Sequence, residues 1–404
     1  MRYSAKPRVL ILADYFLPGF KAGGPIRSLA NLVEQLGEEF HFRIITRDRD
    51  FGEPLPYSAA AANRWQRVGK AEVYYLSPPR FLPGLLKSAI ADWGCEALYL
   101  NSFFSPFFTI QALLLRKAGL ISAVPVILAP RGELSSAAFH TKPWKKWPYL
   151  NACRMLGLCG EVLWQASSSH EEKDIRRYFG PLAKIAIAPN LSAVAPDDWR
   201  GQRTRKAAGH LRVAFISRIA RHKNLDFALR RLAGLEGDVE FNIYGPIEDE
   251  AYWEECEALI RAMPKNVRVT YGGQLSHEEV FKTLSEHHLL FLPTRSENFG
   301  HVIAEALLAG CPVLISNQTP WKGLARAQAG WELPLEQPEL FDRALRSWLE
   351  MDNSAFAPWS IGARALGTTG LGTNPLEELR SMLRAALARQ PSPTSPAVPL
   401  DVRN

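Results

Sequence analysis

Twice along its 404 residues the chain alternates short apolar runs with helix-length amphipathic stretches, and this narrows the fold more than any other feature. The first series offers Arg8–Ala13, Phe40–Thr46, Ala71–Leu76, Ala97–Leu100, Pro125–Ala129, Trp164–Ser168 and Lys184–Ala188 as strands. Between the first two lies a Gly/Pro-rich stretch, Pro18 to Pro25. Ile26, Leu29, Leu32, Val33 and Leu36 follow at helical spacing, with Gly37 as a stop. Further helices fit Pro83–Ala91 and Phe107–Ala118. Strands separated by helices imply a parallel sheet covered on both faces.

Leu191 to His210 breaks the pattern with Pro, Asp, Arg and small residues, and the second series then begins. Its strands are Leu211–Ile216, Val239–Tyr244, Val267–Tyr271, Leu289–Pro293 and Pro312–Ser316; its helices are Leu225–Leu232, Glu250–Met263, Ser276–His287 and Gly300–Ala309, with a last one near Glu339–Leu349. The fold class expected is α/β, with two Rossmann-like domains whose parallel sheets face each other across a cleft. Residues 1–195 form the first domain, 196–210 the linker and 211–355 the second domain. A helix over 376–389 is expected to pack back on the first domain, and the Pro/Ser-rich 390–404 to be disordered. In open parallel sheets ligands bind off the carboxyl ends of the strands, so two such domains share one site.

Composition removes several alternatives. An apolar fraction of 47% and a charged fraction of 22% exclude a disordered chain, a coiled coil, a collagen and a disulfide-knotted miniprotein. Five scattered cysteines with no CxxC pair read as free thiols of a reducing cytoplasm. The apolar run Val9–Ala13 is too short for a signal peptide, and Phe103–Leu115 falls short of the roughly 20 residues that span a bilayer. The net charge of +7 is uneven. Residues 1–200 hold 25 basic against 17 acidic residues, so the first half carries all of the excess and calls for an anionic partner.

Two loops concentrate the chemistry. In Thr294-Arg295-Ser296-Glu297-Asn298-Phe299-Gly300-His301, one carboxylate ends a strand-to-helix loop, and a second, Glu305, follows eight residues on. Gly300 lets backbone approach a ligand, and the first-turn N–H groups of the helix form an anion site. Glu305, set among Ala304, Ala306, Leu307 and Leu308, is suited to accept two hydrogen bonds from vicinal hydroxyls. The plainer alternative makes Glu297 a helix-capping acid and Glu305 a solvated residue. The second loop, Ser217 to Leu225, pairs the planar fork of Arg218 with the mobile charge of Lys223, as a diphosphate requires. No GxGxxG follows the first strand, which argues against a dehydrogenase.

Together these motifs resemble the glycosyltransferase group 1 family, retaining sugar-nucleotide-dependent enzymes of the GT-B fold. The resemblance rests on the E-x7-E block from Glu297 to Glu305, the Arg-x4-Lys block of Arg218 and Lys223 with Asn224-Leu225, and the Gly23-Gly24 loop. Pro189-Asn190 and Ala309-Gly310-Cys311-Pro312-Val313 extend it, so that it covers about Arg8 to Trp321. It implies that Arg218 and Lys223 bind the donor diphosphate and that Glu305 holds the ribose. Glu297 with Asn298, Phe299 and Gly300 would hold the donor sugar. Gly245-Pro246 and the turn Gly273–Leu275 would lie near the base, and Gly23-Gly24 would close over the phosphate with Arg27 nearby. No cofactor or metal is expected. Arg131, in Leu128-Ala129-Pro130-Arg131-Gly132-Glu133, stands where many members place a histidine. It is expected to contact donor phosphate or an anionic acceptor, or else to form a structural salt bridge with Glu133 or a neighbour.

The segment His140 to Arg154 bears Lys142, Trp144, Lys145, Lys146 and Trp147 with no acid. Basic and interfacial aromatic residues together suit an anionic membrane surface or a lipid-linked acceptor. A surface helix with inward-packed Trp residues is the plainer alternative, and no nucleic-acid motif is present. The expectation is a cytoplasmic retaining glycosyltransferase, peripheral at the membrane, acting on a glycan or lipid-linked acceptor in surface-polysaccharide assembly. A sugar-nucleotide epimerase or hydrolase of the same fold, using Glu133 or His140, is one rival. A noncatalytic nucleotide-binding subunit is another.

Overall fold

The structure is a computed structural model that describes residues 6–58, 60–77, 83–135, 143–192, 204–370 and 374–388. Eight strands form the first sheet: β1 (Arg8–Ala13), β2 (His41–Arg47), β3 (Trp65–Val68), β4 (Ala71–Leu76), β5 (Ala97–Asn101), β6 (Val126–Ala129), β7 (Leu163–Ala166) and β8 (Ile185–Ile187). Their order is β3-β4-β2-β1-β5-β6-β7-β8, and every pair is parallel except the edge pair β3–β4. Six strands form the second sheet: β9 (His210–Ile216), β10 (Asp238–Tyr244), β11 (Val267–Tyr271), β12 (Leu289–Leu292), β13 (Val313–Ser316) and β14 (Gly330–Leu333). They run β11-β10-β9-β12-β13-β14, all parallel. Strand order therefore reverses between β1 and β5 in one sheet and between β9 and β12 in the other. Loops leaving these strands at their carboxyl ends diverge and leave a crevice.

Burial explains the apolar runs. Every residue of β5, β6, β7, β12 and β13 is buried, as strands covered on both faces must be. Alternate residues feed separate cores: Leu10, Leu12, Leu98 and Leu100 on one face of the first sheet, Val9, Ile11, Ala13 and Tyr99 on the other. The Gly24–Leu36 helix carries Pro25 in its first turn and lays Leu29, Leu32, Val33 and Leu36 on that second face. Leu379, Met382, Leu383 and Ala386 of the Pro375–Leu387 helix join the same core. Arg380 pins that helix by donating from Nε and Nη2 to the Glu39 carboxylate at 2.7–2.9 Å.

Some elements depart from the sequence reading. The Gly/Thr-rich region after Asn353 is a 17-residue helix, Asn353–Thr369, capped by Asp352 and carrying Phe356 and Ala363 into the second core. Its glycines are contact points. A Cβ on Gly367 would lie 2.4 Å from the Leu308 amide, and one on Gly362 would lie 2.2 Å from the Ala327 carbonyl. Gly367 permits close backbone packing against the His301–Ala309 helix and Gly362 against Ala327 and Gln328, so the second domain runs past the expected limit at 355. Of the expected linker, 196–203 lies outside the described residues, as do 193–195 before it. Lys206 is buried, its ammonium donating to the carbonyls of Ala207, Leu349 and Met351, so this part of the chain is fastened to the second domain. The expected tail, 390–404, also lies outside the described residues.

Candidate active site

The two loops picked out in the sequence leave β9 and β12, the strands flanking the reversal in the second sheet. After β9 the chain makes a tight turn, Arg221–Lys223, and Asn224 adopts a left-handed backbone (φ 64°). The Asn224 side chain then ties the loops together. Its Nδ2 donates to the Pro293 carbonyl at 3.0 Å, and its Oδ1 accepts from Arg295 at 3.1 and 3.2 Å. The Arg295 amide donates to the His222 carbonyl at 2.8 Å. Lys223 is thereby held against Glu297, with Nζ 2.6 Å from Oε2. Burial and the adjacent Lys223 and Arg218 charges push His222 down to about 4, which keeps its ring neutral at physiological pH.

Gly300 takes a left-handed backbone (φ 79°) and opens the His301–Ala309 helix, where a Cβ would strike Ile303. The first turn of this helix faces the first turn of the Gly24–Leu36 helix across the domain interface. Ser28 Oγ and His301 Nε2 lie 2.9 Å apart, and Arg27 forms an ion pair with buried Glu305. Burial raises the Glu305 carboxyl, and Arg27 opposes that shift. Glu305 is thus neither solvated nor unoccupied, and Arg27 is its partner. Arg218 reaches Glu248.

The first domain contributes residues from the ends of β5 and β6. Arg131 has a left-handed backbone (φ 56°), and its guanidinium donates to Asn101 Oδ1 and the Tyr99 hydroxyl, each at 2.7 Å, and to Asn190 Oδ1. All three acceptors are neutral. The expected alternative, pairing with Glu133, is not what the structure has. The Glu133 carboxylate accepts from Ser102 Oγ at 2.8 Å and from the Phe103 and Phe104 amides at 2.6 and 3.1 Å. Burial raises its carboxyl above the usual range.

These groups surround one interdomain cleft of about 450 Å³, a volume suited to a small-molecule ligand. Gly23, Gly24, Arg131, Arg218, Lys223, Gly245, Leu275, Glu297, Asn298, Phe299, Gly300 and Glu305 all line it. Five cations (Lys21, Arg27, Arg131, Arg218, Lys223) face three carboxylates (Glu133, Glu297, Glu305), so the lining carries a positive excess matched to an anion. Asn298 spans the domains through Ser167 Oγ at 3.0 Å.

Among the described residues, none of the basic aromatic segment lines the cleft. Lys142 and His140 lie outside the described residues. The Pro143–Met155 helix carries Trp144, Lys145, Lys146 and Trp147; Trp144 is 70% and Trp147 46% exposed, so these rings are not packed inward. Lys146 lies over the Phe104 ring at 5.2 Å.

The motif pair Pro189-Asn190 supplies Asn190, which is buried and orients Arg131. One feature lies outside the motifs: Asp48-Arg49-Asp50 is an Asp-x-Asp sequence, a pattern that metal-dependent transferases use, but here its carboxylates are engaged by protein. Asp50 accepts from the Phe20 and Lys21 amides at 2.8 and 3.1 Å and so fixes the Gly/Pro loop, while Asp48 accepts from Arg49 at 2.9 Å.

Comparison with known proteins agrees with this geometry. The family described as glycosyl transferases group 1 matches residues 201–358. An uncharacterized 41.2 kDa protein in the cps region of Klebsiella pneumoniae is 26% identical over 230 residues, covering 55% of this chain and 60% of that protein. The 2-deoxystreptamine N-acetyl-D-glucosaminyltransferase of Niallia circulans is 31% identical over 112 residues, covering 27% of this chain and 28% of that protein. The chain thus spans less than two thirds of the length of either curated relative. The structure of Anabaena HepE in complex with UDP and glucose superposes with a TM-score of 0.63 at 17% identity, covering 94% of this chain and 99% of that one. The family match covers the second domain alone, and the superposition over nearly the whole chain shows the two-sheet GT-B fold.

Proposed function

We propose that the cleft transfers a sugar from a nucleoside-diphosphate sugar to an acceptor hydroxyl, with retention of anomeric configuration and without a metal. The observation that carries this reading is the meeting of Arg218, Lys223, Glu297 and Glu305 with two helix N-termini in one cleft. As the bond to the leaving diphosphate breaks, negative charge develops on its oxygens. Arg218, Lys223 and the first-turn N–H groups of both helices are the groups that stabilise it, which leaves no step that calls for a divalent cation. Glu305, which the ribose would engage, is held by Arg27, so donor entry and domain contact share one carboxylate. HepE is solved with UDP and glucose, and by analogy UDP is the first nucleotide to try here.

The reading includes a cytoplasmic location and peripheral contact of the Pro143–Met155 helix with an anionic membrane that carries a lipid-linked or glycan acceptor. Trp144, Trp147 and Met155 recur at helical spacing and are exposed, and Arg154 is exposed beside them. Among the described residues no helix is long and apolar enough to cross a membrane.

A thermal-shift series with UDP, GDP and ADP, with and without EDTA, tests the donor site. One of the three should raise the melting temperature equally in both conditions. No shift with any of them, or a shift abolished by EDTA, defeats the corresponding half of the proposal. Trp144→Ser/Trp147→Ser should lose binding to phosphatidylglycerol vesicles and keep the nucleotide shift. Undiminished vesicle binding removes the membrane contact.

A further inference from the structure

Beside the main cleft lies a smaller cavity of about 180 Å³, near the size of one pyranose ring. Asp14 and Tyr15 follow β1, Asn101 and Ser102 end β5, Glu133 follows β6, and Arg218 closes the cavity from the second domain. Ser102, Glu133 and Arg218 line both cavities, so the two adjoin. Asp14, Tyr15, Phe51 and Ser102 belong to none of the sequence motifs.

Its construction differs from that of the donor side. Ser102 is held at φ 131°, a backbone state that non-glycine residues rarely adopt and that surrounding structure must enforce. Two rings form an apolar wall: Tyr15 and Phe51 meet edge to face at 5.8 Å, and Phe51 is half exposed. The two charged side chains that the first domain contributes are both carboxylates. Arg47 binds Asp14 through Oδ1, at 2.9 and 3.1 Å, and among the described residues no bond is made to Oδ2. Glu133 takes two amide bonds on Oε2 but a single hydroxyl bond on Oε1. Each carboxylate oxygen accepts about two hydrogen bonds, so both groups keep capacity for further donors.

An apolar ring wall facing carboxylate acceptors fits one chemistry. The rings cover the C–H face of a sugar, and the carboxylates take its hydroxyl hydrogens. With Arg47 on Asp14 and Arg218 in the lining, the two carboxylates are balanced, and a cavity without net charge suits an uncharged ring over an anion. The geometry points to this cavity as the seat of an uncharged pyranose ring of the acceptor, gripped by Asp14, Glu133, Tyr15 and Phe51. This rests on the glycosyltransferase reading and deepens it: the acceptor is recognised at a neutral sugar ring, and any phosphate it carries lies outside this cavity. Because Glu133 stands at the seam of the two cavities, a hydroxyl bonded to its Oε1 faces the donor cleft. Glu133 is then a positioning residue for the attacking oxygen.

Saturation-transfer NMR on the full chain, with and without UDP, tests the assignment. The probes are methyl gluco-, galacto- and mannopyranoside, with a methyl glucopyranosiduronate as the anionic control. At least one neutral pyranoside should bind and the uronate should not. Phe51→Ala should weaken that binding about fivefold and Asp14→Asn about tenfold, with the UDP thermal shift retained. Failure of every neutral pyranoside, equal binding of the uronate, or unchanged affinity in both variants overturns the assignment. The UDP shift is read separately, so its absence counts against the donor site and leaves the pyranoside arm to decide the cavity.

Discussion

The two domains meet in one cleft but stock it differently. The second domain supplies charge in local pairs. Lys223 with Glu297 and Arg218 with Glu248 come from short loops, and Asn224 and Arg295 stitch two of those loops together. The first domain pairs Lys21 with Glu53 and sends Arg27 to Glu305, but it holds Arg131 with neutral oxygens from Tyr99, Asn101 and Asn190. A paired cation releases its carboxylate when an anion arrives, whereas a cation held by neutral acceptors keeps its full charge in the cleft throughout. One side is arranged to exchange partners, the other to hold a fixed field.

The largest expected effect tests that division. Lys223→Ala should lower transfer about a hundredfold and abolish most of the thermal shift given by whichever nucleoside diphosphate stabilises the wild type. Arg131→Ala should lower transfer about tenfold with that shift largely kept, and Arg131→Lys should not restore it, because an ammonium cannot bridge three acceptors in a plane. If Arg131→Ala loses the nucleotide shift as fully as Lys223→Ala does, the two domains do not divide the work in this way.

Acid separates the domains next. His288 is fully buried with Nδ1 accepting from the Arg212 amide at 2.9 Å and Nε2 donating to the Arg205 carbonyl at 3.0 Å, and burial pushes it down to about 3. The folded state therefore refuses a proton that the unfolded chain takes up near pH 6.5. Stability is lost as pH falls below that value, by about 2 kcal/mol at pH 5 from this residue alone. Among the described residues the buried histidines all belong to the second domain. Melting followed between pH 7 and 5 should show that domain yielding first, and His288→Gln should flatten the slope; an unaltered slope refutes the assignment.

The smallest effect concerns the chain's return to the first domain. Arg380→Ala removes the bidentate contact with Glu39 but leaves Leu379, Met382 and Leu383 buried, so the melting temperature should fall by no more than about 2 °C. A much larger fall would mean that the ion pair, and not the apolar face, holds the helix.

The same contrast explains which parts of the molecule are legible in the sequence. The strand series of both sheets and the cleft-lining motif residues were readable because each is a run of consecutive residues with one period or one loop. The Ser169–Phe179 helix was missed because its burial is carried by Ile175 and by Glu171, which leaves no apolar stripe; its signal was the Ser168 cap with Glu171 three residues on. The Asn353–Thr369 helix was missed because glycines selected for close packing look like breaks. β3 and β14 are short and lie at sheet edges, where burial leaves a weaker pattern. In the two cavities, Ser102 and Asp14 carry no sequence signal because their partners come from distant strand ends.

The Pro375–Leu387 helix has one more consequence. With Asn353–Thr369 in the second core and Pro375–Leu387 in the first, the chain passes between the domains twice. A body joined to another at one point swivels freely, whereas joined at two points it turns chiefly about the line between them. The double crossing therefore favours a hinge with a single easy axis, in which opening separates the Gly23-Gly24 turn from the Glu305 helix without shearing either sheet. Cutting the backbone between Gly370 and Asn374 would add degrees of freedom while sparing both cores, and solution scattering would register them as a broader spread of domain separations.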